Sequence, residues 1–171
     1  MAKKSTMIRT KTISVSYQEF DSTEELEEND RALVNEASKA ALNAYAPYSM
    51  FRVGAALRLE NGIIVKGVNV ENAAFPSGIC AERSAIAAFI TGHRGEKPLA
   101  IAIAALTDEG LSGEPVTPCG NCRQAIAEEE SRSGKPLRII LAGAKKTIVI
   151  DGINNLLPLQ FSKNNLRPPI P

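Results

Sequence analysis

Apolar and polar side chains follow two different periods along this chain, and each period predicts its own elements. Ile13, Val15 and Tyr17 alternate with Thr12, Ser14 and Ser16, which predicts a short edge or interface strand over 11–17. Asp21-Ser22-Thr23-Glu24 offers capping side chains. The acids Glu24, Glu25, Glu27 and Glu28 suit the positive end of a helix dipole. Leu33, Val34, Ala37, Ala40, Ala41 and Ala44 then recur at helical spacing, so a helix is expected from this acidic start to about Tyr45, closed by Pro47.

The alternation returns over 51–59 and 63–70, joined by Asn61-Gly62, the dipeptide of a tight hairpin turn. Pro76-Ser77-Gly78 breaks the pattern. A second helix is expected from Cys80, with Ala81, Ala85, Ala88 and Phe89 on one face and Gly92 at its end. Residues 99–106 are continuously apolar, the mark of a strand buried on both faces. A loop over 107–117 leads to Pro118, which suits a position at or just before the first turn of a third helix reaching about Ser131. Strands follow at 137–142 and 147–150, then a short helical turn at 154–157 and a proline-rich tail over 159–171. Residues 1–10 are polar and read as a mobile start. Hairpin, helix, strand, helix and strand give an α/β sheet sandwiched between helices, with strands parallel where a helix joins them.

Composition narrows the class. The 171 residues suit a single domain spanning the chain, with 1–20 as an N-terminal extension and 164–171 as a C-terminal tail. Twenty basic and 19 acidic side chains leave a formal net charge of +1, without the basic block that neutralising many phosphates requires, so neither nucleic acid nor membrane is expected as a partner. No apolar run approaches the roughly 20 residues of a membrane span. Three cysteines are an odd number for a disulfide framework and suit a reducing, cytoplasmic setting in which thiols serve a metal.

All three cysteines fall in two short motifs, Cys80-Ala81-Glu82 and Pro118-Cys119-Gly120-Asn121-Cys122-Arg123. Cys119 and Cys122 are three apart at an expected helix start, which puts both sulfurs on one face. Thiolates suit zinc, and three protein ligands leave the fourth tetrahedral position for water. Both helix starts favour the thiolate. Three thiolates outweigh the charge of Zn²⁺, so Arg83 and Arg123, each one residue past a ligand, are expected to hydrogen-bond the sulfurs. Glu82 is placed to take a proton from bound water and return it to the substrate without being a ligand. Taken alone, a C-x-x-C pair equally fits buried thiols or a structural zinc site, and Asn69 and Glu71 on spacing alone read as exposed polar residues.

Cys-Ala-Glu with P-C-x-x-C is similar to the three-cysteine form of the zinc nucleobase deaminase signature. More specifically, Ala46-Pro47-Tyr48-Ser49, Phe51-Arg52-Val53-Gly54-Ala55-Ala56-Leu57, the run from Asn69 through Arg83, Pro118 through Gln124, and Leu156-Leu157-Pro158 resemble the small homotetrameric cytidine deaminases over about 30–163. The resemblance implies a three-layer α/β/α sandwich with a mixed five-stranded sheet, assembled as a homotetramer with sites shared between subunits. It implies zinc on Cys80, Cys119 and Cys122, and Glu82 as the proton shuttle. It further implies Phe51 stacking on the pyrimidine, Asn69 and Glu71 on the ribose hydroxyls, the Ala81 amide on the base carbonyl, the Thr117 carbonyl on the leaving amine, and Phe161 reaching a neighbouring subunit's base. Phe75 stands where the family usually has tyrosine. The implied reaction is hydrolytic deamination of cytidine and 2′-deoxycytidine, a step of pyrimidine salvage. A same-fold deaminase of a modified cytosine nucleoside, such as an aminoacylnucleoside antibiotic, and a non-enzymatic zinc-stabilised oligomer are the rival readings.

Overall fold

The expected hairpin forms from β2 (Arg52–Leu59) and β3 (Ile64–Val68), with Gly62 at φ 84° in its turn. The computed structural model describes residues 8–166, so the expectations for 1–7 and 167–171 lie outside the described residues. The other elements are β1 (Gln18–Phe20), α1 (Glu28–Ala41), α2 (Ala81–His93), β4 (Pro98–Thr107), β5 (Gly110–Leu111), α3 (Gly120–Ser133), β6 (Arg138–Ala142) and β7 (Thr147–Asp151). The strands make one sheet in the order β1-β7-β6-β4-β2-β3, with β5 folded back on the end of β4. β4 and β6, joined through α3, pair in parallel, and the remaining pairs are antiparallel.

β4 shows how one apolar run serves two layers. Ala100, Ala102 and Ala104 face α1 with Leu33, Val34 and Ala37, while Ile101 and Ile103 face α2 and α3 with Phe89 and Ile126. Small residues on one face let α1 lie close. Large ones on the other fill the space under two helices, each contributing about 1.5–3 kcal/mol on full burial. Gly67 of β3 sets the height of α2: a Cβ there would lie 2.2 Å from the Ala85 amide nitrogen and 2.4 Å from the Ala81 carbonyl oxygen. The first turn of α2 therefore rests on bare backbone, and this fixes the depth of its N-terminal side chains.

Several expectations are corrected. The sheet has seven strands rather than five, because β1 and β5 add short pieces at its margins. The strand expected over 11–17 is absent; pairing with β7 begins only at Gln18, and Ile13, Val15 and Tyr17 are exposed, so an alternating sequence without a partner backbone stays unpaired. The first helix splits. Ser22 caps a 3₁₀ turn at Thr23–Glu25, and the chain then extends at Leu26, which is buried, before α1 begins at Glu28. α1 also stops at Ala41, four residues before Tyr45, whose backbone instead bridges Val70. The loop over 107–117 contains the β4–β5 hairpin. The turn expected over 154–157 is a 3₁₀ helix at Ile153–Asn155.

Candidate active site

Cys80 is the residue before α2, Cys119 the residue before α3, and Cys122 lies in the first turn of α3. The two helix starts meet, bringing the Cys80 and Cys119 sulfurs to 3.8 Å and those of Cys119 and Cys122 to 3.4 Å. All three lie within 4.8 Å of one another. Tetrahedral zinc with bonds of about 2.3 Å holds its sulfurs roughly 3.8 Å apart, so the spacing and the donor set both fit that ion. Cys122 is buried and Cys119 exposed, which leaves the cluster open on one side. Burial pushes the Cys122 thiol up, with the Glu82 charge adding to it, and burial likewise raises Cys80. Burial is the largest influence on Cys119 and opposes its ionisation, but hydrogen bonds from the Cys122 and Asn121 amides and the two neighbouring thiols together outweigh it, and its pKa falls. A bound divalent cation supplies the positive charge that this group of sulfurs lacks.

Glu82, in the first turn of α2, is 5% exposed, and burial raises its carboxyl pKa. It lines a cavity of about 340 Å³ together with Cys80 and Cys119. Asn69, Glu71, Ala81 and Thr117 line the same cavity. Asn69 and Glu71 follow β3, on a segment where Val70 bridges both Tyr45 and Ile79. The Asn69 side chain ties down the start of β2, accepting from the Val53 amide at 2.7 Å and donating to the Phe51 carbonyl at 2.9 Å. Its amide group retains one donor and one acceptor position. Glu71 accepts from the Tyr48 and Ser49 amides and from the Ser49 hydroxyl, and the Ser49 hydroxyl, ahead of the Tyr48 amide, holds its carboxyl below the usual range.

Other expected site residues lie elsewhere. Phe51 is partly exposed at the start of β2 and does not line the cavity. Phe161 borders a separate cavity of about 690 Å³ beside α3, where its carbonyl accepts from Gln124 at 2.8 Å. Arg123 does not hydrogen-bond the sulfurs. Its Nε donates to the Pro118 carbonyl at 2.8 Å and its Nη1 to the Leu156 carbonyl at 2.9 Å, so backbone carbonyls take up these donors. Arg83 makes no hydrogen bond to a sulfur among the described residues. The cavity's apolar walls, Val53, Ile103 and Val116, were not singled out, since nothing distinguishes them in sequence from core residues. Phe75, at the rim, packs edge-to-face with Tyr48 at a centroid distance of 6.3 Å.

The chain matches the family described as the cytidine and deoxycytidylate deaminase zinc-binding region over residues 27–133. It is 44% identical to a cytidine deaminase of Sporosarcina psychrophila over 135 residues, 78% of this chain and 92% of the other. It is also 44% identical to a cytidine deaminase of Halalkalibacterium halodurans over 135 residues, 95% of that protein. Among solved structures, the cytidine deaminase of Burkholderia pseudomallei superposes with a TM-score of 0.65 at 36% identity, covering 76% of this chain and 97% of that one. With the three-sulfur cluster, the buried glutamate and the shared fold, the chain belongs to the cytidine and deoxycytidylate deaminase family and is a hydrolytic deaminase with zinc as its cofactor.

Proposed function

We propose that this enzyme converts cytidine and 2′-deoxycytidine, with water, to uridine and 2′-deoxyuridine plus ammonia. The observation that carries this reading is the buried Glu82 beside the three-cysteine cluster, at the floor of a cavity whose walls include Asn69 and Glu71. Cys80, Cys119 and Cys122 would hold the zinc, which would supply a Lewis acid able to make water nucleophilic near neutral pH. Glu82 takes the proton of the attacking water and delivers it to N3 of the base. It then carries a second proton to the departing amine at C4. A carboxyl whose pKa is raised by burial suits both transfers. The Ala81 amide donates to the base carbonyl, the Thr117 carbonyl accepts from the leaving amine, and Asn69 and Glu71 bind the sugar hydroxyls.

Phe51 stacks on the base in this reading, and Phe161 reaches the site of a neighbouring subunit. Its position outside its own chain's cavity is consistent with that role. The assembly is accordingly a homotetramer, working in the cytoplasm. Among the described residues no helix is long and apolar enough to cross a membrane. Arg123 contributes by tying the start of α3 to Leu156.

Ammonia release from cytidine, deoxycytidine, free cytosine, cytidine monophosphate and a cytosine-bearing antibiotic tests the substrate. Turnover of the two plain nucleosides is expected, with Glu82→Gln slowing it at least a hundredfold in zinc-loaded protein. Normal turnover by Glu82→Gln would sink the assignment, and preference for the antibiotic would move it to the modified nucleoside.

A further inference from the structure

The turn before β2 adopts a backbone conformation that its sequence disfavours. Met50 has φ +57°, the one positive φ at a non-glycine residue among those described. Left-handed backbone is costly for a side chain bearing a Cβ, and such residues persist where their surroundings over-determine them. Here the determinants are visible. The Met50 amide donates to the Ala46 carbonyl at 3.0 Å, and the left-handed residue folds the chain so that the Phe51 amide donates to the Ser49 hydroxyl at 3.0 Å. That bond occupies a lone pair of Oγ and leaves the hydroxyl proton for the Glu71 carboxylate, whose Oε1 accepts it. The other oxygen of Glu71 accepts the Tyr48 and Ser49 amides at 2.9 and 3.2 Å. A carboxylate has about four acceptor positions, so these donors leave about one for a ligand.

We propose that Ser49 is a positioning residue for substrate: its hydroxyl, oriented by the Phe51 amide across the left-handed Met50, holds Glu71 so that the remaining acceptor position receives a sugar hydroxyl. This rests on the proposed nucleoside reading. The two backbone donors fix one carboxylate oxygen, and Ser49 fixes rotation about the carboxylate axis. The effect belongs to binding rather than to the chemical step, since in the nucleoside reading Glu71 receives the sugar, while Glu82 and the sulfur cluster serve the reacting carbon.

The test is steady-state kinetics on the zinc-loaded full chain and its Ser49→Ala and Ser49→Thr variants, with cytidine and 2′,3′-dideoxycytidine as substrates. Ser49→Ala is expected to raise KM for cytidine about tenfold, the worth of one hydrogen bond to a charged group, with kcat within about twofold of wild type. The same variant should leave KM for the dideoxynucleoside unchanged, and Ser49→Thr should restore KM for cytidine. Equal penalties on both substrates, an unchanged KM, or a loss confined to kcat would overturn the proposal. A thermal-stability double-mutant cycle over Ser49→Ala and Glu71→Ala reads the hydroxyl–carboxylate bond without substrate. Additive losses overturn the proposal. Non-additive losses in a protein that does not turn over cytidine would leave the Ser49–Glu71 link standing and refute the nucleoside reading instead.

Discussion

A Cβ on Gly143 would lie 2.6 Å from the Pro115 amide nitrogen, so the turn after β6 and the loop before α3 pack backbone against backbone. The Ala144 and Lys145 amides donate to the Ser112 and Gly113 carbonyls at 2.8 and 2.9 Å, and Lys146 pairs with Glu114 at 3.3 Å. This loop goes on to supply Val116 and Thr117 to the cavity. Gly143→Ala is therefore expected to destabilise the protein by about 1–3 kcal/mol through overpacking. By displacing the Thr117 carbonyl it should also lower kcat/KM on the order of ten- to hundredfold. Thermal melting and kinetics of this one variant check both, and wild-type values in both would refute the coupling.

Asp30 is 3% exposed and receives Arg138 Nε at 2.6 Å and Arg58 Nη2 at 3.2 Å, which ties α1 to β6 and β2. Both arginines lie level with Ala100 near the start of β4, whereas the cavity is lined further along, by Ile103 and by Val53, which pairs with Ala105. Asp30→Ala leaves two partly buried cations without this partner, although Arg138 keeps Asp151 at 3.0 Å. The expected loss is about 2–3 kcal/mol of stability. Denaturant unfolding should show it, while kcat and zinc content at 25 °C stay as in wild type.

Zinc removal should affect both turnover and fold. The cluster joins the starts of α2 and α3, and without its cation that cross-link between the two helix starts is lost. A strong chelator is expected to abolish ammonia release and lower the melting temperature. Readdition of zinc to one ion per chain should restore both. Full activity in chelated, zinc-free protein would exclude the assigned cofactor role.

Glu71 gives a pH dependence with a defined sign. Its carboxyl pKa is lowered, first by the Ser49 hydroxyl and then by the Tyr48 amide. A carboxylate held lower in the folded state than in the unfolded chain stabilises the fold above the unfolded value of about 4.3. That contribution disappears as pH falls through the lowered folded value. The stability difference between wild type and Glu71→Gln should therefore be flat at neutral pH and shrink only on the acid side. A difference that shrank between pH 6 and 8 would contradict this assignment.

The site was legible wherever chemistry is carried by rare residues at fixed spacing. Cys119 and Cys122 announce a shared helix face, and Cys80-Ala81-Glu82 announces the second ligand-bearing turn, because few other uses require those types at those intervals. Arg123 was legible as present but not in its contacts: its head reaches the Leu156 carbonyl, 33 residues on, which no local pattern encodes. Ser49 escaped for the same reason. A serine in a turn is ordinary until the fold brings Glu71 to its hydroxyl.

The sequence by itself determined most of the element types, the turn at Asn61-Gly62, and the three cysteines and glutamate that the fold gathers at one site, since periodicity and ligand chemistry are local properties. Only the tertiary structure decided that the alternation at Ile13, Val15 and Tyr17 remains unpaired, and that the first helix breaks at Leu26. It also decided that Gly67 lets α2 settle on the sheet, and that Glu71 is held by the loop before β2. Those outcomes depend on which backbone or side chain arrives from a distant part of the chain, and burial and hydrogen bonding are satisfied only once it does.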